Sequence, residues 1–231
     1  MTIEEMHYDF KKKFNKIDSQ QSRNLLVPEI DWTLNEAQEI FKNKSYLEFE
    51  KNQEARDNIR TLVVSPKTDP NASITIAENL ASLPNDYDHF ISARVLISKN
   101  LCKQVKAVFY LQQHDDESEE SYFNKSSYIW RSVNGVFLEN SIRLYDDGTF
   151  TNDKLELTYL RRASYMHNAA NFKGGTYTLP SGVVLTGKIN CELPLHTHRK
   201  VVDLAVLIAA GEVSSSDYQL KMNKINLTSN K

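Results

Sequence analysis

Cysteine is almost missing: Cys102 and Cys191 are the only two in 231 residues, and they form no Cys-x-x-Cys pattern. That usage points to a reducing compartment and leaves a single Cys102–Cys191 disulfide as the open alternative. Long apolar runs are missing too. The best candidate, Val201 to Val213, contains Asp203 and falls short of the roughly 20 residues that cross a bilayer. Residues 1–14 lack the apolar core of a signal peptide and carry Glu4, Glu5 and Asp9. Cytosolic synthesis and no membrane partner are therefore expected. Neither sign of charge dominates: 28 Lys and Arg against 30 Asp and Glu leave a formal net charge of -2. No global basic field draws the chain to nucleic acid, so none is expected as a direct partner.

Catalytic signatures are absent as well. Gly174-Gly175 is followed by Thr176 and Tyr177, with no lysine where a phosphate-binding loop needs one. There is no Gly-x-Ser-x-Gly elbow, neither cysteine has a histidine beside it in sequence, and no two carboxylates stand out as a glycosidase pair. The expectation is a protein that is not an enzyme and uses no cofactor. A hydrolase whose site is assembled only in space stays open as an alternative.

What is present is an ordinary globular composition, 40% apolar and 25% charged, in a chain long enough to bury about 70% of its unfolded surface. Thr2 and Glu5 form a capping-box pattern, followed by a predicted helix from Ile3 to Asn15 with Ile3, Met6, Phe10 and Phe14 on one face. Its lysines, Lys11, Lys12, Lys13 and Lys16, read as a solvated face, with phosphate binding as the alternative. Residues 18–24 read as a polar connector. Pro28 suits a first helical turn, and Ile30, Leu34, Ala37 and Phe41 recur at helical spacing. A break at Asn43-Lys44-Ser45 and a second apolar series, Ala55, Ile59 and Leu62, predict an antiparallel helical hairpin.

Turn residues from Ser65 to Asn71 end the helical region. Strands are predicted at 73–77, 90–98, 105–111 (buried on both faces), 128–133, 136–145 and 155–165, with a type I′ hairpin signal at Asp146-Asp147-Gly148 and two short strands around Pro180-Ser181-Gly182. Helical period returns over 196–210, where Gly211 suits a left-handed C-terminal cap, and a last helix carries Tyr218, Met222 and Ile225 on one face. The fold class is α+β. Residues 1–64 and 193–231 are expected to pack as one helical bundle, and residues 65–192 to form a β-rich middle lobe.

Two stretches also resemble a known family. Lys16-Ile17-Asp18-Ser19-Gln20-Gln21-Ser22-Arg23-Asn24, Val27-Pro28-Glu29-Ile30-Asp31, Leu34 to Phe41, Phe49-Glu50, Asn52-Gln53 and Arg60-Thr61-Leu62-Val63 make up the first, and Leu193 to Val206 with Asp217-Tyr218-Gln219-Leu220-Lys221 the second. Together they resemble virion structural proteins of crAss-like and related tailed bacteriophages; the centre is similar only loosely, mainly over Leu155 to Leu160. The resemblance implies a non-enzymatic ring or neck subunit beside the portal, a head-to-tail connector component of the virion. It implies a homo-oligomeric ring of about a dozen copies, with the portal and neighbouring ring or tail proteins as partners. The residues expected at assembly contacts are Trp32, Phe41, Phe49 and Arg60 in the hairpin, and His198, Arg199 and Asp203 in the closing segment.

Other constellations invite chemistry. His196 and His198 near Asp203 have His-x-His spacing, but residues two apart on a helix diverge by about 200°, so a polar helix start capped by His or Thr197 explains them better than a metal. Asp146 to Asp153 has the oxygen density of a calcium loop without its Asp-x-Asp-x-Asp-Gly opening or closing Glu, and a turn accounts for it. The acidic run Asp115 to Glu120 reads as an exposed loop or a contact with a basic neighbour. Tyr122, Phe123, Tyr128, Trp130 and Phe137, flanked by Lys125 and Arg131, suit core or subunit packing; the alternative is a stacking platform of a carbohydrate or host-surface binding module. Arg161-Arg162 and Arg199-Lys200 are basic pairs suited to acidic neighbours.

Overall fold

Thr2 and Glu5 satisfy each other's backbone as the capping pattern requires. The Thr2 N–H donates to Glu5 Oε2 at 2.9 Å and the Glu5 N–H to Thr2 Oγ1 at 3.3 Å, opening α1 (Ile3–Phe14). From there the computed structural model describes residues 1–14, 25–100, 102–112 and 125–212. The chain is mixed α and β and divides into two compact units, Met1–Leu62 with Ala163–Lys231, and Val63–Arg162.

In the first unit, α1 buries Ile3, Met6, Phe10 and Phe14, the two phenylalanine rings stacking at 5.7 Å. Helix α2 (Val27–Leu47) starts with Pro28 in its first turn, where Glu29 accepts the Leu26 N–H at 2.7 Å. Helix α3 (Gln53–Ile59) is capped by Asn52, which accepts the Glu54 N–H at 2.9 Å. Helix α4 (His198–Glu212) packs on both α1 and α2 through Val201, Val202, Ala205 and Val206. The rest of this unit holds the antiparallel pair β9 (Thr176–Thr178) and β10 (Val184–Thr186).

The second unit is an eight-stranded sheet in the order β1-β8-β4-β5-β6-β7-β3, with β2 also on β8. Its strands are β1 (Val63–Val64), β2 (Ser73–Thr75), β3 (Leu80–Ser82), β4 (Tyr87–Ser98), β5 (Val105–Leu111), β6 (Ser132–Phe137), β7 (Ser141–Leu144) and β8 (Thr151–Arg161). All neighbours are antiparallel except β5 and β6. Three register shifts between β4 and β8 bend the long strands and curl the sheet. Val95 and Ile97 of β4, Ala107 and Phe109 of β5, and Leu155, Leu157 and Tyr159 of β8 form the concave core. Burial and Asp86, which accepts the Tyr159 hydroxyl at 2.9 Å, hold that phenol well above its ordinary pKa.

One glycine is dictated by space. A Cβ on Gly135 in β6 would fall 2.5 Å from the Arg143 carbonyl oxygen and 2.6 Å from the Phe109 ring. Gly135→Ala is expected to cost about 1–3 kcal/mol, because backbone cannot give way as a side chain can. Denaturant unfolding checks it, and a wild-type midpoint would contradict this reading of the close approach.

Several expectations need correction. The predicted break at Asn43-Lys44-Ser45 is helical, since none of these residues forbids a helix and Ser45 is buried on α2; the chain turns at residues 48–52 instead. The β5 run, expected to be buried on both faces, alternates, with Val108 and Tyr110 exposed. Asp146-Asp147-Gly148 does not close a hairpin, because β7 and β8 do not pair; Asp146 and Asp147 instead accept the Gly148 and Thr149 N–H groups. Gly211 lies within α4 and is not among the glycines with positive φ. The second boundary lies at 162 rather than 192, so residues 163–192 group with the chain ends. The polar connector, the acidic run 115–120, Tyr122 and Phe123, and the helix carrying Tyr218 lie outside the described residues.

Candidate functional site

Helix α2 carries two unlike faces, and adjacent residues show it. Asp31 is wholly buried while Trp32, about 100° further round, is 55% exposed. Asp31 accepts the Tyr177 hydroxyl and His7 Nε2–H, each at 2.7 Å, and the Asn168 N–H at 3.1 Å. Burial, followed by Asp31 itself, holds the Tyr177 phenol far above its ordinary pKa. A histidine oriented by an aspartate is also part of a nucleophile-activating triad. Here both partners are sealed from solvent, so the cluster ties α1, α2 and the 163–192 segment together.

Cys191 belongs to the same interior, where its thiol lies 3.2 Å from Gln38 Oε1. Both cysteines are free, Cys102 exposed and Cys191 buried. Burial pushes the Cys191 thiol from 9.0 up to about 11. The folded state thus keeps a proton that the unfolded state releases first, so this stabilisation is complete below pH 9 and lost as pH rises through about 11. At pH 8 a thiol reagent is expected to label Cys102 alone in the native protein and both cysteines in denaturant. Rapid native labelling of both would contradict this burial.

The outward stripe of α2 contains Trp32, Ile40 and Leu47, all exposed, among Glu36, Glu39 and Asn43. Glu39 is paired with Lys42 at 2.5 Å. Beside it in sequence, Phe41 and Phe49 are half-buried; Phe49 lies under Arg56 at 5.5 Å, and Arg60 is exposed at the start of a short 3-10 turn.

On α4 the predicted residues divide. His198 is buried, with Nε2 donating to the Leu193 carbonyl at 2.7 Å and Nδ1 3.0 Å from the Met1 carbonyl oxygen, so it holds the fold. His196 Nε2 reaches Asn58 Oδ1 at 3.1 Å. The two rings are thus committed to separate partners, and no group of three metal-binding side chains occurs among the described residues. Thr197 sits at the helix start but donates its hydroxyl back to Pro194 O at 2.8 Å instead of capping forward. Asp203 and Asp9 grip Lys13 at 2.8 and 2.6 Å. Partial burial pulls that ammonium's pKa down, and the two carboxylates more than offset it. Arg199 and Lys13 line a shallow pocket with Glu4, Glu5 and Tyr8.

In the second unit, β5 and a tight turn present an apolar surface. Ser127 and Ser132 exchange backbone hydrogen bonds at 2.8 and 3.1 Å, and the Arg131 N–H reaches the Tyr128 carbonyl at 3.3 Å, with Arg131 at φ 51. This closed turn holds Ile129 and Trp130 81% and 83% exposed. The Val108 N–H donates to the Arg131 carbonyl at 2.8 Å, placing exposed Val108 beside the turn, with Tyr110 on the same face of β5. Tyr128 packs near Phe150 at 6.5 Å, and Phe137 near Phe90 at 5.5 Å, so of the described members of the aromatic run only Trp130 is exposed.

Sequence reasoning missed the Asp31 cluster, whose partners lie far apart in the chain, and it missed Ile129 as a surface residue. The Ser127-to-Ser132 spacing around Trp130 and Arg131 was the available signal for the turn. The chain matches no protein-family model and no curated protein.

Proposed function

We propose that this chain is a virion structural protein, a ring or neck subunit assembling beside the portal of a tailed phage, with the helices of its two ends acting as one bundle. The resemblance of residues 16–63 and 193–221 to such proteins motivates this reading. The observation that carries it is the closed turn that holds Ile129 and Trp130 in solvent. Large exposed apolar groups on a rigid turn favour protein contact, and a buried tryptophan is a common anchor of interfaces. A ring also needs two different patches per copy, and the α2 stripe supplies the second.

The test is negative-stain imaging of the purified protein, alone and with portal. Closed rings of about a dozen subunits are expected; single particles unaltered by portal would overturn the reading. Trp130 and Tyr110, both exposed in the second unit, also favour a second reading, a glycan-binding module of the tail. Robust glycan-array binding by the full chain, without rings, would favour that instead.

A further inference from the structure

We infer that the head-to-tail contact in such a ring is made by the outward stripe of α2 in one copy seated on the β5 face and the 127–132 turn of the next. The inference rests on the ring reading and adds the identity of the two faces.

Both faces have an apolar centre. Trp32, Ile40 and Leu47 recur at 32, 40 and 47, within about 80° of one another around α2, and all three are exposed. Opposite them, Val108 and Tyr110 share one face of β5, and Ile129 and Trp130 stand at the tip of the adjoining turn.

The rims carry opposite signs. On the α2 stripe the exposed charged groups among the three apolar residues are Glu36 and Glu39, with exposed Lys44 at the edge beyond Ile40, while Lys42 is buried and paired with Glu39. Around the β5 face the sign is reversed. Arg94 is exposed and lies directly opposite Val108 in the β4–β5 register, which puts both on one face. Arg131 is exposed at the turn, Lys125 is exposed just before it, and Lys99 Nζ lies 5.9 Å from the Tyr128 ring centre. The acid nearest this face in the register, Glu156, is occupied by Lys106 at 2.7 Å. An acidic helix stripe and a basic sheet face, each with exposed aromatics, complement each other and not themselves. The acids of one face would meet the bases of the other, so the fit is heterologous, the arrangement a closing ring demands.

The test uses two preparations of the full chain, both with Cys102→Ser: one with Glu36→Cys, the other with Arg131→Cys. Cys191 is buried and stays silent. After mixing and treatment with a short bismaleimide, the mixed sample is expected to give a two-chain band, and neither preparation alone should do so. As a second readout, Arg131→Glu is expected to lower the assembled fraction at least about tenfold at low salt, and adding Glu36→Arg to the same chain to restore it. Rings that show no mixed cross-link, or cross-links formed equally by one preparation alone, would overturn this contact and leave the ring reading intact. A cross-link confined to single chains in a 36/131 double-cysteine variant would also overturn it, because the two faces would then meet within one copy. A chain that stays monomeric with portal present overturns both.

Discussion

Asp31→Ala is expected to lower the stability of the unit built from the two chain ends by about 3–5 kcal/mol, because several buried donors lose their one acceptor at about 1–3 kcal/mol each. The aspartate is wholly buried and is the shared acceptor for donors from three separate stretches of chain: His7 on α1, the Asn168 backbone and Tyr177 on β9. Removing the carboxylate strands three buried donors, the Tyr177 hydroxyl, the Asn168 N–H and the His7 ring N–H, each desolvated with its acceptor gone. Asp31→Asn keeps an acceptor oxygen and should recover part of the loss. Urea unfolding followed by circular dichroism measures both, and an alanine variant with a wild-type midpoint would mean that the cluster does not hold this unit together. The neighbouring residue is the control: Trp32→Ala alters the solvent side of the same helix and should leave stability within about 0.5 kcal/mol.

Trp130→Ala is expected to do the reverse, leaving the fold intact while abolishing assembly. The side chain is 83% exposed, so truncating it removes little from the core. As an interface anchor it would be worth about 2 kcal/mol or more at each junction. A closed ring repeats that loss at every junction, so a modest change per contact removes the closed species at working concentrations. Sedimentation of wild type and variant side by side reads the outcome. An unfolding midpoint that drops while rings persist would mean that Trp130 serves the fold and not the contact between copies.

Local signals in the sequence transferred well where the physics is local. Thr2 and Glu5, Pro28, and the 3.6-residue recurrence of Ile30, Leu34 and Ala37 each state a backbone preference that needs no distant partner, and the helices begin where those residues put them. The strands expected at 73–77, 90–98 and 155–165 are present with shifted ends, at 73–75, 87–98 and 151–161. Pairing was not legible. Asp146-Asp147-Gly148 has hairpin chemistry, yet its flanking strands pair elsewhere, because sheet order is decided by which apolar faces meet and not by the turn between them.

The candidate surfaces divide in the same manner. Trp32, Arg60, Arg199 and Asp203 are on the outside, whereas His198, with the same sequence claim, is buried by bonds to Leu193 and Met1. A histidine's polarity does not reveal which way it faces. Nor does a run of aromatics: Phe137 is in contact with Phe90, and Trp130, seven residues earlier, stands in water because the Ser127–Ser132 bridge turns it out.

Native mass spectrometry of the purified full chain across a concentration series tests the ring most directly. One dominant species is expected at a fixed multiple of 26.6 kDa, about a dozen copies, with few intermediates, because a closed heterologous ring leaves no free face. A monomer at every concentration, with or without portal, or an open ladder that lengthens as concentration rises, would contradict it.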